Sequence, residues 1–170
     1  MDAKTKRTSA ERTRRAFTKA IAHLGFVRSK TSFWTRPNEH VVEFIHLHLF
    51  SFMPAFRVHF GIRVLNDSFE APALNGLSSH DGWYGVNDRR EYSFAFDEST
   101  HGQLTCADEL ARFCHNLGEP WFMRFREVSA LLSPDASPLS AAAREALSRA
   151  LIGNVESANV LASRTLLGVA

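Results

Sequence analysis

Residues Glu43 to Val64 read EFIHLHLFSFMPAFRVHFGIRV, and the fold turns on how this stretch pairs with itself. From Val41 to Phe50, side chains alternate. Val41, Ile45, Leu47 and Leu49 point one way, with Glu43 the odd member of that set. Val42, Phe44, His46, His48 and Phe50 point the other way, since successive strand residues face opposite sides. After Ser51-Phe52-Met53-Pro54, the chain returns as Ala55 to Val64. Here Phe56, Val58, Phe60, Ile62 and Val64 make a dry face, and Arg57, His59, Gly61 and Arg63 a wet one. The two dry sets must coincide, because a slip of one residue turns every side chain over. The loop therefore pairs Phe50 with Ala55, which sets Leu49 against Phe56, Leu47 against Val58 and Ile45 against Phe60. On the wet side, His48 meets Arg57, His46 meets His59, and Phe44 covers the bare backbone of Gly61.

Upstream, Thr8-Ser9-Ala10-Glu11 reads as a capping box. Ala16, Phe17, Ala20, Ile21 and Leu24 then recur at helical spacing, and Gly25 supplies a left-handed stop, so the spacing predicts a helix over about residues 9–24. Phe33 to Arg36 is aromatic and β-prone. Residues 66–89 are rich in Asn, Asp, Gly, Ser and Pro and read as a long loop, which marks a candidate functional segment. Glu91 to Phe96 is a further strand, with Tyr92, Phe94 and Phe96 on one face. Downstream the pattern is helical: one helix capped by Thr105 and ended by Gly118, and another opened by Pro120. A linker at 133–138 follows, with Ser137-Pro138 as cap and first turn, then helices over 139–152 and about 155–167. The pattern predicts an α+β fold: an N-terminal helix, an antiparallel meander of about four to five strands, then C-terminal helices. It divides into a single α+β domain at 1–133 and a helical extension at 134–170, packed on it or used for a partner.

The chain has 170 residues, 45% hydrophobic and 22% charged, which is ordinary for one globular domain. Residues 1–36 carry ten Lys or Arg against two acids, and the remainder ten against sixteen. Such asymmetry fits either a nucleic-acid-binding arm or a basic helix lying against an acidic body. Cys106 and Cys114 lie eight apart in a helix, about 12 Å at ~1.5 Å per residue, too far to bridge. We read them as reduced, buried thiols. No window approaches the ~20 apolar residues of a membrane span, and the charged N-terminus lacks a secretory core segment. We expect a cytoplasmic protein with no membrane partner.

Helix one ending in Leu24-Gly25-Phe26, then Phe33-Trp34, an aliphatic strand, and Phe56 to Gly61-Ile62 together resemble domain-of-unknown-function family 4304 over about residues 12–125. That resemblance implies a small bacterial α+β domain with Phe26 as a core anchor and Gly61 as a point of close approach. It brings no catalytic residues. Proteins of this general build also look like immunity proteins, which block a toxin made by the same cell, an analogy at the level of fold.

No nucleophile elbow, phosphate-cradling glycine loop or HExxH is present. The expectation is a non-catalytic protein-binding domain, in its most specific form an immunity-type protein whose partner is a toxin. The expected binding residues are His46, His48, Arg57, His59, Arg63, Trp83 and Tyr84, presenting cations and aromatics to an acidic patch. No metal and no cofactor are expected, because Arg57 and Arg63 share the histidines' face and no carboxylate does. Two alternatives stay open. One is a metal-dependent hydrolase using His46, His48 and His59. The other is nucleic-acid binding through residues 4–19.

Overall fold

A computed structural model describes residues 1–87 and 89–170; Asp88, within the expected long loop, lies outside the described residues. The fold is α+β. Helix α1 (Ala3–Ala20) runs into a 3₁₀ turn (Ala22–Leu24) and stops at Gly25, whose φ of 80° is left-handed. Four strands follow as an antiparallel meander in sequence order: β1 (Val27–Lys30), β2 (Phe33–Pro37), β3 (Val41–Leu49) and β4 (Phe56–Val64). A separate two-stranded ribbon, β5 (Trp83–Val86) and β6 (Arg89–Ser93), comes next, and the remainder is helical.

The β3–β4 register is the expected one throughout. Leu49 pairs with Phe56, Leu47 with Val58, His46 with His59, Phe44 with Gly61 and His48 with Arg57. The inner face of this pair, with Trp34 of β2, meets Phe17 and Ile21 of α1 in one core. Trp34 is fully buried, stands edge-on to Phe17 at 4.9 Å, and donates its indole N–H to Thr18 Oγ1 at 2.9 Å, so its one polar atom is satisfied.

Four helix boundaries differ from expectation, each for a local reason. Asp2 caps α1 by accepting from the Thr5 N–H at 2.8 Å, so the helix starts at Ala3, ahead of the capping box. Thr8 instead bonds back to the Lys4 carbonyl, and Ser9 is buried against Gln103. Helix α2 (Thr100–Phe113) is capped by Ser99 rather than Thr105. Gly118 does not end it: a π-helical turn (Cys114–Gly118) leads straight into α3 (Glu119–Met123), with Gly118 at φ −67°. The glycine is there for space, since the Phe60 ring lies 2.7 Å from where its Cβ would stand. After α4 (Val128–Leu132), helix α5 (Ala141–Leu151) is capped by Ser140, while the Ser137 hydroxyl donates to the Leu131 carbonyl in the last turn of α4 and accepts from the Leu139 N–H. Ala143, Ala146 and Leu147 of α5 enter the same core as α1 and the sheet.

The segment 66–89 is not the continuous loop expected: β5 lies within it, and part of the stretch before β5 is held against the sheet. Residues 76–79 run beside the outer edge of β4, with backbone bonds from Phe60 N to Leu77 O and from Ser79 N to Val58 O. Asn75 completes the edge by pairing its side-chain amide with both the N–H and the C=O of Ile62. An otherwise open edge, a template for aggregation, is thereby closed.

At Gly61 a Cβ would collide with the Phe44 ring and the Ala73 carbonyl. Gly61→Val should therefore lower the free energy of unfolding by about 1–3 kcal/mol, the usual cost of overpacking, as a shift in the urea midpoint.

Candidate functional site

The outer face of the sheet is divided in two. Helix α6 (Ser157–Leu167) lies over one end, where Leu167 closes a second small core with Val42, Phe44 and Leu65. Ser29 and Lys30 of β1 anchor the end of α6 by donating to the Leu167 and Leu166 carbonyls. Arg63 lies on the face expected of it but beneath this cover, only 1% exposed. Its guanidinium donates to the carbonyls of Asp67 at 2.7 Å, Phe69 at 2.6 Å and Ala71 at 3.3 Å, and to Ser163 Oγ at 3.0 Å. The expectation that Arg63 meets a partner is thus corrected: its donors are used to hold the 67–71 loop and α6.

The other end of this face is open. Phe33, His46 and His59 form a ladder of stacked rings, with centroids 4.4 Å and 5.8 Å apart. His48 stands beside it, followed by Phe50 and the exposed Phe52. Burial first, then His59 and His48, holds His46 down to about 4, and burial with Arg57 does the same for His59. Both rings are neutral at pH 7. Arg57 is ion-paired with Asp81. His46 and His59 thus bring no charge to this surface and Arg57 is matched by Asp81, which makes it less cationic than the residue types led us to expect.

His46 and His59 stack nearly parallel, and His59 Nδ1 is engaged by Ser78 Oγ at 2.9 Å, so the imidazoles do not converge as the hydrolase alternative requires. Among the described residues, no group of three His, Cys, Asp or Glu side chains is placed to hold a metal ion. Trp83 lies in β5 and stacks on His80 at 4.5 Å, next to the Asp81 that pairs with Arg57. Tyr84 turns inward and packs on Phe113 at 4.8 Å, anchoring the ribbon to the core.

Part of the basic N-terminal segment is used inside the fold. Glu11 takes two hydrogen bonds from Arg28, which hold its carboxyl down at about 2. Arg14 is buried over the Phe56 ring, and Lys6 binds the Phe50 and Ser51 carbonyls. Lys4, Arg7, Arg12, Arg15 and Lys19 are exposed.

Sequence reasoning passed over a second site. Glu43, the odd member of the dry face, is buried with its side chain 5% exposed. Arg36, directly across from it on β2, donates Nε to Glu43 Oε2 at 2.6 Å and Nη1 to the Leu24 carbonyl at 2.6 Å. Nη1 also lies 2.8 Å from Glu119 Oε1, an ion pair without hydrogen-bond alignment. Burial pushes the Glu43 carboxyl above its ordinary range, against the pull of Arg36. The break in the apolar alternation was the signal: a carboxylate on a dry face needs a buried partner, and cross-strand Arg36 was the nearest cation.

No protein-family model, curated protein or solved structure matches the chain.

Arg63→Met keeps the apolar stem but strands buried carbonyls at Asp67, Phe69 and Ala71; it should cost about 3 kcal/mol in denaturant unfolding and speed amide exchange in α6. The imidazoles predict a pH dependence. An unfolded His takes a proton near 6.5, whereas folded His46 and His59 resist it down to about 4. Between those values the unfolded state binds more protons, so stability falls as pH falls through that window. A His46→Gln/His59→Gln variant should show a flatter urea midpoint from pH 6.5 to 4.

Proposed function

We propose that this protein acts by binding another protein across the open end of its outer sheet face. The observation that carries the reading is the partial cover of that face: α6 seals Val42 and Phe44 and leaves the ladder of Phe33, His46 and His59 with His48, Phe52 and Arg57 beside it. Aromatic rings and arginine on a rigid support are the residue types that dominate protein contacts. Closely paired β3 and β4 hold the rings in fixed positions, so little ordering entropy is lost when a partner docks. Because the His46 and His59 rings are neutral and Arg57 already faces Asp81, the matching partner surface is apolar with hydrogen-bond donors rather than strongly acidic.

The narrowest form of the proposal is an immunity-type protein that covers a toxin's working surface. It rests on likeness of general build, whereas the family resemblance over residues 12–125 rests on a residue pattern and brings no function with it. Two buried free thiols, Cys106 and Cys114, fit the reducing cytoplasm in which such a partner would be met.

A photo-crosslinking residue at position 48 or 52 should trap one specific protein in cells, while the same residue at Glu145 on α5 should not. Phe52→Ser combined with Arg57→Glu should then weaken binding of that protein about tenfold or more with an unchanged unfolding midpoint. Equal crosslinking from all three positions, or undiminished affinity in the double variant, overturns the proposal.

A further inference from the structure

We propose that the cavity beside Glu43, between the β2–β3 end of the sheet and α4 and α5, binds a small organic ammonium ion with an apolar body. The site lies on the inner side of the sheet, so it stands or falls independently of the surface proposed above.

The cavity measures about 410 Å³, within the usual range for small-ligand pockets. Its wall is mainly apolar, from Val41, Ile62, Phe125, Leu131 and Leu147, with Glu43 and Arg36 as the polar groups at the sheet. Only one oxygen of the Glu43 carboxylate is used: Oε2 accepts from Arg36 Nε, and among the described residues no donor reaches Oε1. Oε1 is not sealed in protein; it stays open in the cavity wall, where a ligand donor can reach it.

The charge of that donor follows from the neighbours. Glu43 and Glu119 share a single buried guanidinium, so the three groups together carry one net negative charge. Arg36 cannot turn toward a ligand. Its Nε and Nη1 are engaged by Glu43 and the Leu24 carbonyl, its Nη2 is sealed in protein without a hydrogen-bond partner, and its guanidinium lies 4.4 Å from the Phe26 ring centroid and 5.6 Å from that of Phe122. Arg126 lies at the mouth, half-exposed and 3.7 Å from Glu119, where water screens it. His40 and Glu39 stand at the same rim. An anion entering the cavity would face the Glu43 carboxylate, with Arg36 held in place by its bonds to Glu43 and Leu24 and Arg126 out at the half-exposed mouth. An ammonium would give Oε1 a charged hydrogen bond and place its apolar body against Phe125 and Leu131. The raised Glu43 carboxyl agrees: burial disfavours its charge, and a bound cation would relieve that penalty.

The test uses the full chain with 2-phenylethylamine and n-hexylamine as probes, and 2-phenylethanol and 3-phenylpropionate as neutral and anionic controls, read by titration calorimetry. Saturable binding of the amines is expected, with the alcohol about tenfold or more weaker and the carboxylate not bound. Glu43→Gln should erase the preference for amine over alcohol. Val128→Trp, at the half-exposed mouth, should exclude both while leaving Glu43 in place. Unfolding midpoints establish that each variant is folded, and if Glu43→Gln is not, Val128→Trp carries the test alone. Absence of saturable amine binding overturns the proposal, as does tighter binding of the carboxylate. So does amine affinity that survives Val128→Trp, or that survives Glu43→Gln at full strength in a folded variant.

Discussion

The antiparallel pairing of β3 with β4 holds the rest of the structure in place. It puts Ile45, Leu47, Phe56, Val58, Phe60 and Ile62 on one face, each at 1% exposure or less. Fully burying a side chain of this size is worth about 1.5–3 kcal/mol. A slip of one residue would instead press His46, His48, Arg57 and His59 into the helices, and buried charges and unpaired imidazoles cost more than aliphatic contacts return. The pair of Phe44 and Gly61 adds a steric lock, because only the glycine leaves room for that ring. With the register set, α1, α2 and α5 have a surface to bury, and the edge of β4 is ready for Asn75 and the 76–79 segment.

The outer face shows how a second layer is added to a sheet that already has its core. Helix α6 contributes few large apolar contacts, and its outward side chain Leu161 remains exposed. Much of its attachment is polar. Arg63 ties Ser163 to three loop carbonyls, Asn66 binds the Ala146 and Asn154 carbonyls and accepts from the Glu156 N–H, and Ser29 and Lys30 hold the last turn. An arginine that satisfies backbone carbonyls in a loop does the work hydrogen-bonded strands do elsewhere, and it lets an irregular segment be buried.

Much of this was legible in residue order. Alternation gave the strand directions, the loop length gave the register, and Phe44 over Gly61 followed from both. The helix starts were less legible because a cap is a local signal with several competitors. Thr8, Thr105 and Ser137 are all chemically suited to capping, yet Asp2, Ser99 and Ser140 cap the helices, since tertiary contacts decide which hydroxyl faces a free N–H. Gly118 misled for a related reason: a glycine marks either a left-handed turn or a close approach, and only the position of Phe60 separates the two. The candidate surface was half legible. Which side His46, His48, Arg57 and His59 take is a matter of parity, whereas the burial of Arg63 depends on α6, which lies 100 residues away at Ser163. Tyr84 and Trp83 are adjacent in a strand and so face opposite ways, which by itself argues that only one of them points outward.

Glu43 is the residue whose presence stability explains least. A buried ion pair seldom improves on apolar side chains of similar volume, because desolvation consumes most of the Coulombic gain. Here the arrangement is worse than a simple pair, since two carboxylates draw on one buried guanidinium while Glu119 Oε1 and Arg36 Nη2 are buried without a hydrogen-bond partner. A leucine at position 43 and an apolar residue at 36 would continue the pattern on both strands and leave Glu119 free to turn toward Arg126 at the surface. The fold bears this local cost in the wall of a cavity rather than in a closed core, and a cavity wall is where an unmatched acceptor has something to meet. Cost and location together make the Glu43 cluster a feature of use rather than of folding.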